Sequence, residues 1–272
     1  MGERMGEPSA ANGGRAVVVT GGAGPAVGSG VALAVARHGF RVWIADLDLN
    51  AAKAMAEEIR GEGGQADCVQ VDTADPASVA AAMATVVEAE GGVVHGLVNS
   101  AGIGFNALAA DMEVEDFDRI IAIDLRGPWL CAKGLIPAMV AGGGGSIVHI
   151  GSVHALATIP TQTAYAAAKA GLHGMARAIA ADYGGHCIRC NVVNPGAVPS
   201  REAYGDGSLP AKDHWVDYMV RCQQFLHQVI NPLDIGNACA FLLGDGAKSI
   251  TGQAITVDAG MTTLLWSHTE EL

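Results

Sequence analysis

Short apolar runs of strand length alternate with stretches of helical periodicity along most of the chain, at residues 15–20, 41–46, 67–71, 96–99, 146–150, 188–193 and 255–257. That alternation is the pattern of repeated βαβ units, because two parallel strands need a crossover long enough to span the sheet. A parallel sheet built this way is covered on both faces, so its strands read as near-continuous apolar runs. Half of the 272 residues are hydrophobic, which supplies the core that such a sheet needs. No composition shift marks a linker, and the glycines at 142–145 are too few to separate domains. The expectation is an α/β fold.

The first run leads into Thr20-Gly21-Gly22-Ala23-Gly24-Pro25-Ala26-Val27-Gly28 and then into helix-period residues Val27, Val31, Leu33, Ala34 and Val35, which end at a candidate C-cap, Gly39. Glycines between a strand and a helix let the backbone turn sharply and approach a pyrophosphate, while the helix N-terminus presents free N–H groups and positive dipole. Asp46 closes the second run. A carboxylate there accepts hydrogen bonds from ribose hydroxyls and repels a 2′-phosphate, so the pair of signals favours NAD over NADP. The neighbouring Leu47 brings no positive charge to offset that repulsion. A tight turn followed by a solvated Asp is the plainer alternative.

Tyr165 and Lys169 stand four residues apart on a helical pattern, and Ser152 follows the apolar run 146–150. A phenol gives up its proton too reluctantly at neutral pH to act as a base unaided, and a lysine one turn away supplies the assisting cation. A serine hydroxyl beside them can hold a substrate oxygen. An amphipathic helix with Tyr and Lys at its edge would show the same spacing.

Taken in order, these motifs resemble the short-chain dehydrogenase/reductase family from about Arg15 to Gly260. The remaining matches are Asp72-Thr73 after the third run, Asn99-Ser100-Ala101-Gly102 after the fourth, Asn194-Pro195-Gly196-Ala197-Val198-Pro199-Ser200 after the sixth, and Thr251-Gly252-Gln253 before the last. The resemblance implies a Rossmann-like, doubly wound, seven-stranded parallel sheet in a single domain, residues 15–272, and the polar, Gly-containing residues 1–14, without an apolar stretch, read as a disordered leader before it. It implies Tyr165 as general acid/base, Ser152 orienting the substrate oxygen, and Lys169 assisting Tyr165 and binding the nicotinamide ribose. Cofactor contacts are implied for Gly22, Val27, Gly28, Asp46, Leu47, Asp72, Thr73, Asn99, Ala101, Gly102, Tyr165, Lys169, Pro195, Gly196, Val198 and Ser200, with no metal required.

The chain also departs from the family pattern. Ala26 stands where the middle glycine of the loop is usual, Ser100 replaces an Asn, and Ala259 interrupts Asp-Gly-Gly at Asp258-Ala259-Gly260. Asp124 occupies the place of the asparagine in the family's proton relay; an ionised carboxylate accepts hydrogen bonds but donates none. The intact trio implies that Asp124 is tolerated there, acting through its backbone carbonyl and a water.

The net charge of −12 argues against nucleic-acid or anionic-membrane partners and for a small-molecule substrate. Six scattered cysteines without a second ligand pair read as reduced thiols in a cytoplasmic protein. His154, two residues after Ser152, is a candidate substrate contact, and residues 199–230 match the family's substrate lid. A small polar substrate such as a sugar, polyol or hydroxy acid is the leading expectation. The alternatives are a 3-oxoacyl-type or cyclic-ketone reductase and a non-catalytic NAD(H)-sensing protein. The family resemblance further implies a homotetramer assembled through helices at 113–140 and 161–183.

Overall fold

In a computed structural model, residues 12–201, 226 and 228–263 are described. Most of the leader and most of the 199–230 lid lie outside them, as do the residues after 263. Seven strands, β1 (Ala16–Thr20), β2 (Arg41–Asp46), β3 (Gln65–Gln70), β4 (Gly96–Asn99), β5 (Gly145–Ile150), β6 (Ile188–Pro195) and β7 (Ala254–Val257), form one sheet in the order β3-β2-β1-β4-β5-β6-β7. Every pairing is parallel. The fold is thus the expected Rossmann-like, doubly wound α/β sheet.

The helices among the described residues are α1 (Val27–Arg37), α2 (Leu49–Gly61), α3 (Pro76–Ala89), α4 (Val114–Ile121), α5 (Gly127–Ala141), α6 (Thr163–Tyr183) and α7 (Pro232–Leu243). Apolar residues of α1, α2 and α7 cover one face of the sheet, and those of α3, α5 and α6 the other. All of β1 is buried because both of its faces meet helices. Several starts are written locally. Asp75 accepts from Ala77 N ahead of Pro76, and Asn231 with Asp234 makes a capping box ahead of Pro232. Gly39, just beyond α1, has φ +86, as the C-cap reading requires.

Three local features differ from a simple reading of the sequence. Strand β3 begins at Gln65 rather than 67, and it runs in register from Arg41↔Gln65 to Asp46↔Gln70. It is an edge strand with exposed ends, so polar residues are compatible with it and the run at 67–71 marks only part of it. The helix expected over 113–140 is interrupted by a π-turn at Ala122–Arg126, in which Gly127 N donates to Ala122 O five residues back. Pro128 has no N–H to offer the Asp124 carbonyl four residues earlier, so the ladder shifts there. Ala259 adopts φ +53, the left-handed conformation that a glycine takes without strain. Asp258 holds that turn, accepting from Gly260 N and from Thr262 N and Oγ1.

Beneath the sheet's carboxyl edge, His149 is completely buried. Asn99 Nδ2 donates to its Nδ1 at 3.1 Å, which leaves the Nε2–H facing Cys190 Sγ at 3.4 Å. Burial, with the Lys169 charge adding to it, holds the imidazole down to about 4 from the usual 6.5. Neutral His149 therefore supports the fold fully above pH 6.5, and that support is lost as the pH falls toward 4, where only the unfolded chain takes up the proton. The expected loss is about 3 kcal/mol over that interval. Urea unfolding at a series of pH values checks this, and His149→Gln should flatten the dependence.

Candidate active site

The chain reverses its direction of winding between β1 and β4, and loops leaving the two strands diverge at their carboxyl ends. A cleft of about 590 Å³ opens there. Its floor begins with Gly21, Gly24, Ala26, Val27 and Gly28. A Cβ on Gly28 would stand only 1.9 Å from Gly21 O, so the loop closes on itself only with glycine at that position. Ala26 keeps a negative φ of −109 and is accommodated as the residue preceding α1. No side chain caps α1, so its N-terminal dipole faces the cleft unneutralised.

Asp46 and Leu47 from the end of β2 line the next section, followed by Asp72 and Thr73 after β3. The Asp46 carboxylate is held by two backbone donors, Ala23 N at 3.0 Å and Asp48 N at 3.1 Å. Ser100, Ala101 and Gly102 follow from the β4 loop, and Ser100 Oγ is buried there with no hydrogen-bond partner. Pro195, Gly196 and Val198 complete the far wall. An uncapped helix start, a fixed carboxylate and an unpartnered hydroxyl along one elongated cleft suit a dinucleotide.

Ser152, Tyr165, Lys169 and Asp124 meet at the end away from Asp46. Ser152 caps a short turn at Val153–Ala155, its Oγ accepting from His154 N at 3.1 Å. That bond takes a lone pair and leaves the hydroxyl proton available to a ligand oxygen. Lys169 is 4% exposed. Its Nζ lies 5.4 Å from the centre of the Tyr165 ring and donates to Ile150 O at 3.1 Å.

The π-turn carries Asp124 into the same interior, fully buried. Its Oδ1 accepts from Ile103 N at 2.8 Å, and its Oδ2 lies 3.1 Å from Lys169 Nζ. The second contact is an ion pair off the hydrogen-bond angle, since Oδ2 makes no well-aligned hydrogen bond. Burial pushes the Asp124 carboxyl above the usual range, while the Lys169 ammonium and the Ile103 N–H oppose that rise. Gly102 makes room for the pair; a Cβ there would lie 2.9 Å from Asp124 Oδ2 and 3.2 Å from Lys169 Nζ.

Other residues singled out from the sequence stand further back. Gly22 and Asn99 are buried behind the lining, and Asn99 Nδ2 also reaches Pro128 O at 3.2 Å. His154 does not line the cleft. Its ring packs edge-on against Tyr165 at 5.7 Å, its Nδ1 pairs with Thr158 Oγ1 at 2.9 Å, and burial lowers its pKa. Ser200 follows Val198 at the margin of the described segment. Sequence reasoning passed over Gln162, which lines the cleft one turn before Tyr165; the i, i+3 spacing was the available signal. Among the described residues no group of three or more His, Cys, Asp or Glu gathers as metal ligands would, and no helix is long and apolar enough to cross a membrane.

Comparison with known proteins agrees with this geometry. A family profile described as enoyl-(acyl carrier protein) reductase matches residues 22–262. A 2-(S)-hydroxypropyl-CoM dehydrogenase of Xanthobacter autotrophicus is 35% identical over 91% of this chain and 96% of its own. A D-threitol dehydrogenase of Mycolicibacterium smegmatis is 33% identical over 92% and 93%. The crystal structure of a candidate short-chain alcohol dehydrogenase from Sinorhizobium meliloti superposes with a TM-score of 0.84 at 28% identity, over 93% of this chain and 98% of that one. With its sheet order, its cleft and relatives that match it almost from end to end, the chain belongs to the short-chain dehydrogenase/reductase family of oxidoreductases.

Proposed function

We propose that the protein is an NAD(H)-dependent oxidoreductase that interconverts a secondary alcohol and a ketone on a small polar substrate such as a polyol, sugar or hydroxy acid. The observation that carries this reading is the convergence of Ser152, Tyr165 and Lys169 at one end of a cleft whose other end holds Asp46. The threitol dehydrogenase among its relatives supports the substrate class. Gly21–Gly28 and the start of α1 would hold the pyrophosphate, Asp46 the adenine ribose, and Pro195–Val198 the nicotinamide amide. When bound, the nicotinamide supplies the hydride acceptor or donor.

The chain's own residues handle the proton and the oxygen. The Ser152 hydroxyl, oriented by the His154 N–H, donates to the substrate oxygen and fixes its position. Tyr165, as phenolate, takes the proton from that oxygen during alcohol oxidation and, as the phenol so formed, returns it during ketone reduction. Lys169 stands below the ring as the assisting cation, held by Ile150 O and Asp124. In this chain Asp124 is a counter-ion to that lysine rather than an amide in a relay. The exposed Val114, Phe117 and Trp129 on α4 and α5 are consistent with a homotetramer assembled through these helices.

Three outcomes are expected. In stopped assays of nicotinamide absorbance, Tyr165→Phe should lower kcat by about 100-fold or more while still binding NADH; equal turnover by both proteins would sink the reading. For the wild type, kcat/KM should favour NAD over NADP by about 100-fold, and Asp46→Ala should narrow that ratio to about 10-fold or less. Asp124→Asn restores the family's usual residue and keeps one acceptor oxygen, able to face Lys169, so it should stay within about 10-fold of the wild-type kcat, whereas Asp124→Ala should fall further because it leaves a buried ammonium with no side-chain partner. An inactive wild type beside an active Asp124→Asn would overturn the tolerated role of the carboxylate.

A further inference from the structure

Gln162 stands at the start of α6, three residues before Tyr165 and on the same side of the helix, and it lines the cleft beside Ser152 and Tyr165. The backbone that presents it is held in an unusual way. Thr161 adopts φ +73, a left-handed conformation that a β-branched residue rarely takes. A single parallel bridge joins Gln162 to Ala107, with Ala107 N donating to Thr161 O at 3.2 Å, so the loop after β5 is stitched to the loop after β4. The side chain is anchored as well. Gln162 Nε2 donates to Asn106 Oδ1, while its own Oε1 has no partner among the described residues.

These contacts leave an oriented, neutral carbonyl acceptor at the reactive end of the cleft. His154, the residue that the sequence suggested for substrate contact, has its Nδ1 occupied by Thr158 and its ring against Tyr165. Lys169 is the one cation among the described residues lining the cleft, and Asp124 and Ile150 O already engage it. An uncharged donor therefore suits this corner better than an anion does.

We propose that Gln162 Oε1 accepts a hydrogen bond from a second, uncharged hydroxyl on the carbon next to the reacting one, with Asn106 as the positioning residue that fixes the amide. The substrate class is then a vicinal diol or polyol. This inference rests on the alcohol dehydrogenase reading above and narrows it.

The test compares 2-butanol with 2,3-butanediol as substrates. The wild type should prefer the diol by about 10-fold in kcat/KM, the worth of one good neutral hydrogen bond. Gln162→Leu should cut the diol-to-monoalcohol ratio by about 10-fold, chiefly through the diol KM. Isothermal titration of 2,3-butanediol into the NADH-saturated variant should weaken by a similar factor. Asn106→Ala should lower the same ratio by a smaller amount, since it loosens the amide without removing it. A wild type indifferent to the second hydroxyl would overturn the proposal. So would a Gln162→Leu variant that loses kcat equally for both alcohols, the mark of a merely structural role. Failure of the underlying reading looks different: no nicotinamide reduction by the wild type with either alcohol or any other in a broad panel, which would remove both.

Discussion

A parallel sheet covered by helices on both faces leaves polar chemistry few places to go. Its interior here is two apolar layers, and burying an unpaired charge in either would cost more than the fold could offset. The strands' carboxyl ends escape that constraint, because the loops leaving them diverge where the winding reverses between β1 and β4. The glycine loop, Asp46, the trio and Gln162 all sit along that edge.

The most demanding element at this edge is the buried pair of Asp124 and Lys169. Both side chains are almost fully enclosed, so each is compensated by the other and by one backbone group, Ile103 N for the carboxylate and Ile150 O for the ammonium. Such a pair adds little net stability, yet removing one member leaves an uncompensated charge. Its value lies in position: the ammonium is fixed 5.4 Å from the Tyr165 ring by contacts from β5 and from the π-turn. His149 and Cys190 lie nearby, and their burial holds the first neutral and pushes the second's thiol pKa upward, so neither adds a competing charge.

Much of the frame was legible because it follows from local rules. The fully buried central strands announced themselves as apolar runs, and Gly39 and Asp46 marked element ends through backbone conformation and position. Edge strand β3 was harder to delimit, since a strand paired on one side and partly solvated tolerates Gln65, Asp67 and Gln70. The tolerance of Ala26 in the loop depended on its φ, which residue identity alone does not give. Gln162 escaped notice because no motif names it; its importance comes from Asn106 and Ala107 in another loop.

The sequence by itself determined the α/β alternation, the glycine loop with its following acid, and the Tyr165–Lys169 spacing, because each depends on residues close together in the chain. Tertiary structure alone decided what those residues face. It turned Asp124 into the counter-ion of a lysine forty-five residues away, tied His154 to Thr158 and Tyr165, and placed Gln162 in the cleft. The physical reason is that charge pairing and hydrogen bonding in a low-dielectric interior depend on distance and angle in space, which the order of residues along the chain does not specify.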